Sequence, residues 1–161
     1  MPKRSAGLLL YRRVDDDVQL LLVHPGGPYW ATKDDGAWSV PKGEVDEGEE
    51  LFDVAIREFG EELGAEPPDA GSAVFLGELR QPSGKLVNVW ALESDLDVTE
   101  IQSNTFTMEW PPRSGRTAEF PEVDRAAWFG PDAARRKLLR GQVEFVERLT
   151  STLTGKDEAQ G

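Results

Sequence analysis

The sequence contains no cysteine and only one histidine among its 161 residues. Without cysteine the protein cannot form a disulfide, a thiolate nucleophile or a cysteine-ligated zinc site. A single histidine, His24, argues against a histidine-based metal site and against a Ser-His-Asp triad. Because His24 directly follows a predicted strand, it is typical of a packing or surface residue. The carboxylates of Asp and Glu are therefore the main candidates for catalytic side chains.

Basic residues and long apolar runs are also scarce. The chain has 18 Lys and Arg against 30 Asp and Glu, a formal net charge of −12, whereas sequence-specific nucleic-acid binders normally carry a basic face. No apolar run approaches the ~20 residues that span a bilayer, and the start MPKRSAG lacks the apolar stretch of a signal peptide. We therefore expect a cytoplasmic protein that binds neither membranes nor specific nucleic-acid sequences. A phosphate ligand stays compatible with this charge, because a bound divalent cation can reverse the local potential.

The length and the apolar pattern predict one α+β domain over residues 1–153, followed by a disordered tail at 154–161. A helix is expected from about Glu49 to a stop at Gly64, a second helix opens at Pro131, and apolar 3-4 spacing marks a closing helix from Val143. Residues 25–36 are too rich in Gly, Pro and Asp to form a regular element. Strands are predicted at 8–11, 18–23, 37–40, 73–80, 85–92, 104–110 and 126–129.

The first helix carries an acidic cluster. Glu58, Glu61 and Glu62 lie within five residues, in a segment whose apolar positions recur every fourth residue from Leu51 to Leu63. Carboxylates at i, i+3 and i+4 share one face of a helix, and their mutual repulsion favours a bound cation. In a chain with 30 acidic residues, an acidic helix face is more often simply solvated. The flanking residues decide between these interpretations.

The segment Gly43 to Ala65 reads G-x5-E-x7-R-E-U-x-E-E-x-G-U, where U is a bulky or aliphatic residue and only the final U is small. This pattern closely resembles the Nudix box of the Nudix hydrolases. The resemblance implies an α/β/α sandwich with a mixed central sheet, in which the box forms a loop-helix-loop. It also implies hydrolysis of a nucleoside diphosphate linked to another group.

The resemblance also implies roles for individual residues. The three glutamates of the cluster take the metal-ligand positions, for Mg²⁺ or Mn²⁺, and one of them is expected to act as the base. Arg57 and Glu49 match positions that orient this cluster, and the Gly43 carbonyl is a further candidate ligand. Some family members add a glutamate from outside the box. Glu119 is our candidate because it precedes a Trp-containing strand, and Glu122 is the alternative.

Substrate contacts are expected from outside the helix. Tyr29 and Trp30 lie in the 25–36 loop and are candidates for stacking on a nucleobase, although capping of the core under the loop is the favoured interpretation. Lys42, Lys85 and Arg116 are candidates for phosphate contacts. For Arg116, a solvated position in a turn is the competing interpretation.

The expected substrate is a small nucleotide, with a dinucleoside polyphosphate favoured. The approach to the box, Trp38 to Gly43, resembles that of Nudix hydrolases acting on such compounds. Nucleoside triphosphates are the nearest alternative, and a non-catalytic nucleotide-sensing module is a different class of function. The complete set of box carboxylates argues against the sensing module, and the lack of cysteine argues against an isopentenyl-diphosphate isomerase. The protein is expected to be a monomer or a homodimer.

Overall fold

The computed structural model describes residues 2–67, 69–99 and 101–160, with side chains described through residue 155. The strands are β1 Arg4–Val14, β2 Asp17–Pro25, β3 Lys42–Glu44, β4 Val74–Arg80, β5 Leu86–Glu93, β6 Thr105–Glu109, β7 Thr117–Pro121 and β8 Val123–Phe129. The helices are α1 Leu51–Leu63, α2 Pro131–Lys137 and α3 Glu144–Gln160.

In the described chain, six strands form a mixed sheet in the order β4-β5-β1-β2-β8, with β3 added to β1. The β1–β5 pair is parallel, whereas the other pairs of this sheet are antiparallel. Strands β6 and β7 form a separate antiparallel hairpin. The predicted α+β class with a mixed central sheet is therefore confirmed.

The central strands are apolar in succession because both of their faces are buried. Leu8 and Leu10 of β1 belong to the same buried cluster as Phe59 of α1. Leu9, which points the opposite way, belongs to a cluster with Phe145 of α3. Helix α1 thus covers one face of the sheet while α2 and α3 cover the other, which confirms the α/β/α sandwich.

Helix α1 begins at Leu51, two residues later than expected, and its N-cap is Glu50. It ends where predicted, because Gly64 adopts a left-handed conformation with φ of 73° and donates its amide to the Gly60 carbonyl. Glycine accepts this conformation without steric cost, which makes it the usual helix stop. The acidic face of the helix is therefore fixed between two well-defined ends.

Three short strands differ from expectation. The strand predicted at 37–40 is wrong: Trp38 and Ser39 form only isolated bridges, to Leu138 and Val23 respectively. Strand β3 forms instead, although its Lys-Gly-Glu sequence has low strand propensity, because it pairs with β1 in the register Ala6–Gly43. Tertiary pairing overrides local preference at both places. Strand β7, which was not predicted, likewise forms by pairing with β6.

Helix α3 spans 17 residues and is described as far as Gln160. It therefore continues past residue 153, where the sequence analysis places the end of the domain and the start of a disordered tail. Residues 156–160 contain Lys, Glu, Ala and Gln, which favour helix, and no proline stops the helix there. Within the described ranges, no helix is both long and apolar enough to cross a membrane.

Candidate active site

Three carboxylates from two distant parts of the chain meet beside α1. Glu58 and Glu62 lie one turn apart on this helix, and Glu122 comes from the corner between β7 and β8. One carboxylate oxygen from each lies within 4.8 Å of the others. The backbone of Glu122 is held from two sides, since its N–H donates to the Asn104 carbonyl at 2.8 Å and its own carbonyl accepts from Gly26 N–H at 3.0 Å. We call Glu58, Glu62 and Glu122 the carboxylate triad.

Gly43 allows this triad to lie directly against β3. A Cβ atom added at Gly43 would overlap the carboxyl group of Glu58. Only glycine leaves room for such a close approach of a side chain to the backbone. The first glycine of the motif therefore has a steric function at the site, and its carbonyl oxygen stays a predicted ligand.

Burial and mutual repulsion make the triad carboxylates weaker proton donors than usual. Burial, with the negative charge of Glu58 adding to it, raises the pKa of Glu62 to about 8. Burial and the charge of Glu61 raise the pKa of Glu58, and the same two causes raise the pKa of Glu122. Three groups that all resist ionisation within such a short distance are typical of a functional site.

The triad fits a divalent cation. Oε2 of Glu62 is buried and has no hydrogen-bond partner among the described residues, although buried polar atoms are normally paired. Carboxylate oxygens are the hard ligands that Mg²⁺ and Mn²⁺ prefer. A cation bound by Glu58, Glu62 and Glu122 would supply the missing partner and offset the repulsion that raises their pKa values.

Arg57 borders the triad on the solvent side. Its guanidinium donates a hydrogen bond to Glu49 and lies 3.6 Å from the Glu58 carboxylate and 3.8 Å from that of Glu61. Glu49 also accepts the backbone N–H of Asp46 at 2.8 Å. Arg57 and Glu49 therefore lie where they could orient Glu58, which is the role predicted for them.

Glu61 is placed differently from its two neighbours in the motif. Its side chain is 37% exposed, and it is not a member of the triad. Its charge nevertheless contributes to the raised pKa values of Glu58 and Glu122. A role as metal ligand stays a prediction for Glu61.

Of the two glutamates considered outside the box, the structure brings Glu122 to the site and leaves Glu119 outside it. Glu119 is exposed on β7, where it is paired with Thr107 across the hairpin. Glu119 is therefore not brought to the triad, because side chains alternate along β7 and the chain turns after Pro121, and a catalytic role for it stays a prediction. Local sequence offers no signal for this turn, which depends on the Gly26 and Asn104 contacts of Glu122.

A cavity of about 210 Å³ adjoins the triad. It brings together Trp30, Lys42, Glu62 and Glu122 with mostly apolar neighbours, and Ser39 and Val40 form part of its wall. Burial lowers the pKa of Lys42, whereas the nearby Glu62 carboxylate opposes that shift. The cavity therefore combines an aromatic side chain, an amine and two triad carboxylates.

The remaining candidate substrate residues lie outside this cavity wall. Tyr29 is 55% exposed and packs edge-on against Trp110, with ring centroids 5.5 Å apart. Lys85 forms an ion pair of 3.3 Å with Glu44. Arg116 is exposed beside the β6–β7 turn, where its carbonyl accepts from Trp110 N–H at 3.0 Å. Substrate roles for these three residues stay predictions.

His24 lies within β2, one residue before its end, and is fully buried in the interior. Its Nε2 donates to the Lys33 carbonyl at 2.6 Å, and its Nδ1 lies 2.8 Å from Asp124 Oδ1. The ring also packs edge-on against Trp38. His24 therefore connects the 25–36 loop to β8.

Comparison with known proteins gives consistent matches. The NUDIX domain family matches residues 1–149. An RNA pyrophosphohydrolase of Brucella anthropi is 30% identical over 138 residues, which cover 69% of this chain and 72% of that protein. An asymmetrical bis(5′-nucleosyl)-tetraphosphatase of Caenorhabditis elegans is 37% identical over 62 residues, 38% of this chain and 41% of that protein.

Solved structures share the fold at low sequence identity. The NUDIX domain of Shewanella oneidensis NrtR, complexed with ADP ribose, gives a TM-score of 0.66 at 17% identity and covers 95% of this chain and 89% of that one. A binary complex of the C. elegans Ap4A hydrolase gives 0.64 at 22% identity, with 94% and 98% covered.

Proposed function

Because this chain belongs to the Nudix hydrolase family, whose pyrophosphohydrolases act on acid anhydrides, we propose that it hydrolyses a phosphoanhydride of a dinucleoside polyphosphate. The reaction uses a divalent cation, Mg²⁺ or Mn²⁺, held by the carboxylate triad. The single observation that carries this proposal is the buried Oε2 of Glu62, which has no hydrogen-bond partner in the described part of the chain and belongs to a carboxyl group that meets two further carboxylates beside a cavity.

The substrate is itself anionic, so the triad would repel it in the absence of a cation. When bound, the cation supplies positive charge to the phosphate oxygens and lowers the pKa of coordinated water. The chain contributes Glu58, Glu62 and Glu122 as ligands, with Gly43 and Glu61 as further candidates. Arg57 and Glu49 hold Glu58 in place through the ion pairs on the solvent side.

The cavity beside the triad suits one end of a nucleotide. Trp30 offers an apolar, aromatic wall for a planar base, and Lys42 provides an amine for a phosphate oxygen. The exposed residues Tyr29, Lys85 and Arg116 would then meet the part of the substrate that extends beyond the cavity. A dinucleoside polyphosphate, with a group on each side of its phosphates, would use both regions.

Two further substrate classes compete with this assignment. The similarity to an RNA pyrophosphohydrolase makes RNA with a 5′ polyphosphate the second candidate, although the net charge of −12 disfavours contact with a long anionic chain. Simple nucleoside triphosphates would need only the cavity and the triad. A sensing module without hydrolysis would not need the complete triad.

The first test is a substrate panel with the purified full chain and Mg²⁺ or Mn²⁺. It contains diadenosine tetraphosphate, ADP-ribose, nucleoside triphosphates and a short 5′-triphosphorylated RNA, with products separated by chromatography. We expect the highest kcat/KM for the dinucleoside polyphosphate. Glu62→Gln should lower kcat by about 100-fold or more, within the range measured for groups that act in proton transfer.

The matched control is Glu93→Gln, the same chemical change at an exposed residue that pairs with Arg13 outside the site. It should leave kcat unchanged. Full activity in Glu62→Gln, or no metal-dependent cleavage of any panel member by the unaltered chain, would overturn the proposed hydrolase. Cleavage of the RNA or of the triphosphates alone would replace the proposed substrate.

A further inference from the structure

The segment that leads into β3 is not paired continuously with the sheet, since Trp38 and Ser39 form only isolated bridges. Trp38 forms a parallel bridge to Leu138, in which Trp38 N–H donates to the Lys137 carbonyl at 2.9 Å and Leu139 N–H donates to the Trp38 carbonyl at 2.8 Å. The segment that contains Leu138 then continues into a 3-10 helix at Arg140–Gln142. The backbone pairing therefore ends just before Val40.

Gln142 takes over where the backbone pairing ends. Its side chain is fully buried, and its Oε1 accepts the Val40 N–H at 2.9 Å. Its Nε2 donates to Ser39 Oγ at 3.0 Å, while that hydroxyl donates to the Val40 carbonyl at 2.7 Å. Because a backbone N–H can only donate, it fixes the amide with its oxygen toward Val40 and its NH₂ group toward Ser39.

These bonds lie next to the site. Ser39 and Val40 line the same cavity as Lys42 and Glu62, and Gly43, against which the Glu58 carboxylate packs, is three residues beyond Val40. Pro41, between them, accepts the Leu8 N–H at 3.1 Å. A shift of the Ser39–Val40 backbone would therefore be transmitted directly to the residues that face the triad.

We propose that Gln142 is a positioning residue of the active site. It holds Ser39 and Val40 in place, and thereby keeps Lys42 and Gly43 correctly positioned against the carboxylate triad. This inference rests on the proposed function for its catalytic consequence. The described hydrogen bonds of the Gln142 side chain reach neither the triad nor Trp30. Gln142 therefore acts through the Ser39–Val40 segment that it holds. A buried glutamine whose side-chain hydrogen bonds are directed to two consecutive residues is suited to fixing a local conformation.

The test uses Gln142→Met, which keeps a side chain of similar length without either hydrogen-bonding group. Amide hydrogen exchange by NMR should show the Val40 amide exchanging at least about tenfold faster, since it loses its acceptor. Mn²⁺ affinity, measured by titration, should fall severalfold, and kcat on the substrate identified in the panel should fall about tenfold with a smaller change in KM. The first two measurements need no turnover, so they remain decisive if the proposed hydrolysis fails.

The control for general destabilisation is Leu153→Ala, which truncates a buried side chain of α3. Its Tm should fall, while Mn²⁺ affinity, kcat and Val40 exchange relative to other amides stay unchanged. If Gln142→Met matches this control in all three measurements, Gln142 contributes stability alone and the proposal is overturned.

Ser39→Ala provides a milder and independent test, because it removes one partner of the Gln142 amide and leaves the Val40 bond in place. We expect a smaller change in the same direction, and less than additive effects when it is combined with Gln142→Met. If Gln142→Met does not fold, Ser39→Ala decides: wild-type Val40 exchange together with wild-type Mn²⁺ affinity would overturn the positioning role.

Discussion

The two walls of the site are built in different ways. The helical wall takes Glu58 and Glu62 from successive turns of α1, so a few consecutive residues determine its chemistry. The facing wall consists of residues 37–43 and Glu122, and its parts are held by contacts as distant in sequence as Val40 to Gln142, which are 102 residues apart. Two of the three triad carboxylates are thus encoded locally, whereas Glu122 and the rest of the facing surface depend on the completed fold.

Among the substitutions that test this comparison of the two walls, Gly43→Ala should have the largest effect, because it acts at the contact between them. The added methyl group would overlap the Glu58 carboxyl group and displace it or β3. Since misplacement of a reacting group by about 1 Å can cost about 100-fold in rate, we expect kcat to fall by about that factor. Circular dichroism should confirm that the fold is retained, and kcat and Mn²⁺ affinity are the measurements.

The matched control for this substitution is Gly71→Ala, since an added Cβ there meets no atom within 4 Å. It should leave kcat and Mn²⁺ affinity unchanged. Wild-type values in Gly43→Ala would mean that Glu58 does not need its position against β3, and the two walls would then be independent.

An intermediate effect is expected from Glu122→Gln, which alters the facing wall alone. Loss of one triad carboxylate should weaken Mn²⁺ binding and lower kcat by about tenfold or more, in the range found when a group that supports a bound metal is removed. Glu119→Gln makes the same change three residues earlier, on the exposed side of β7. If Glu119→Gln lowers Mn²⁺ affinity and kcat more than Glu122→Gln does, Glu122 is not the residue that the facing wall contributes to the triad.

The helical wall could be predicted because its signals are local. Spacing of apolar residues placed α1, Gly64 marked its end, and the box pattern assigned Glu58 and Glu62 to one face. The β1–β2 hairpin was likewise predicted, because the turn at residues 14–17 separates two apolar runs that both became buried strands. For such elements, the same residues that determine the local structure also determine the packing.

The facing wall could not be predicted in the same way. Strand β3 has a Lys-Gly-Glu sequence that indicates a loop, and it becomes a strand only because β1 offers an edge to it. Glu122 was only the second choice, since its direction depends on contacts with Gly26 and Asn104. Gln142 carried no signal, because a single polar residue beside an apolar helix pattern is usually exposed.

The smallest expected effect tests whether Glu62 is held in a buried environment between the walls. Its pKa of about 8 in the folded protein exceeds the ordinary value of 4.5. Between these values the folded state retains a proton that the unfolded state has lost. The contribution of Glu62 to the free energy of unfolding of the metal-free protein should therefore fall as pH rises, by at most about 1.4 kcal/mol per pH unit.

Urea denaturation of the metal-free protein at pH 6 and pH 7 measures this slope, and Glu62→Gln supplies the reference because glutamine does not titrate. The difference between the two slopes isolates Glu62 from the other groups that titrate in this range. Because Mg²⁺ binds the ionised carboxylate, it should recover part of the stability lost at pH 7 in the unaltered chain and much less in Glu62→Gln. Equal slopes in the two proteins would indicate that Glu62 is solvated. The helical wall and the facing wall would then be packed less closely at Gly43 and Lys42 than the structure shows.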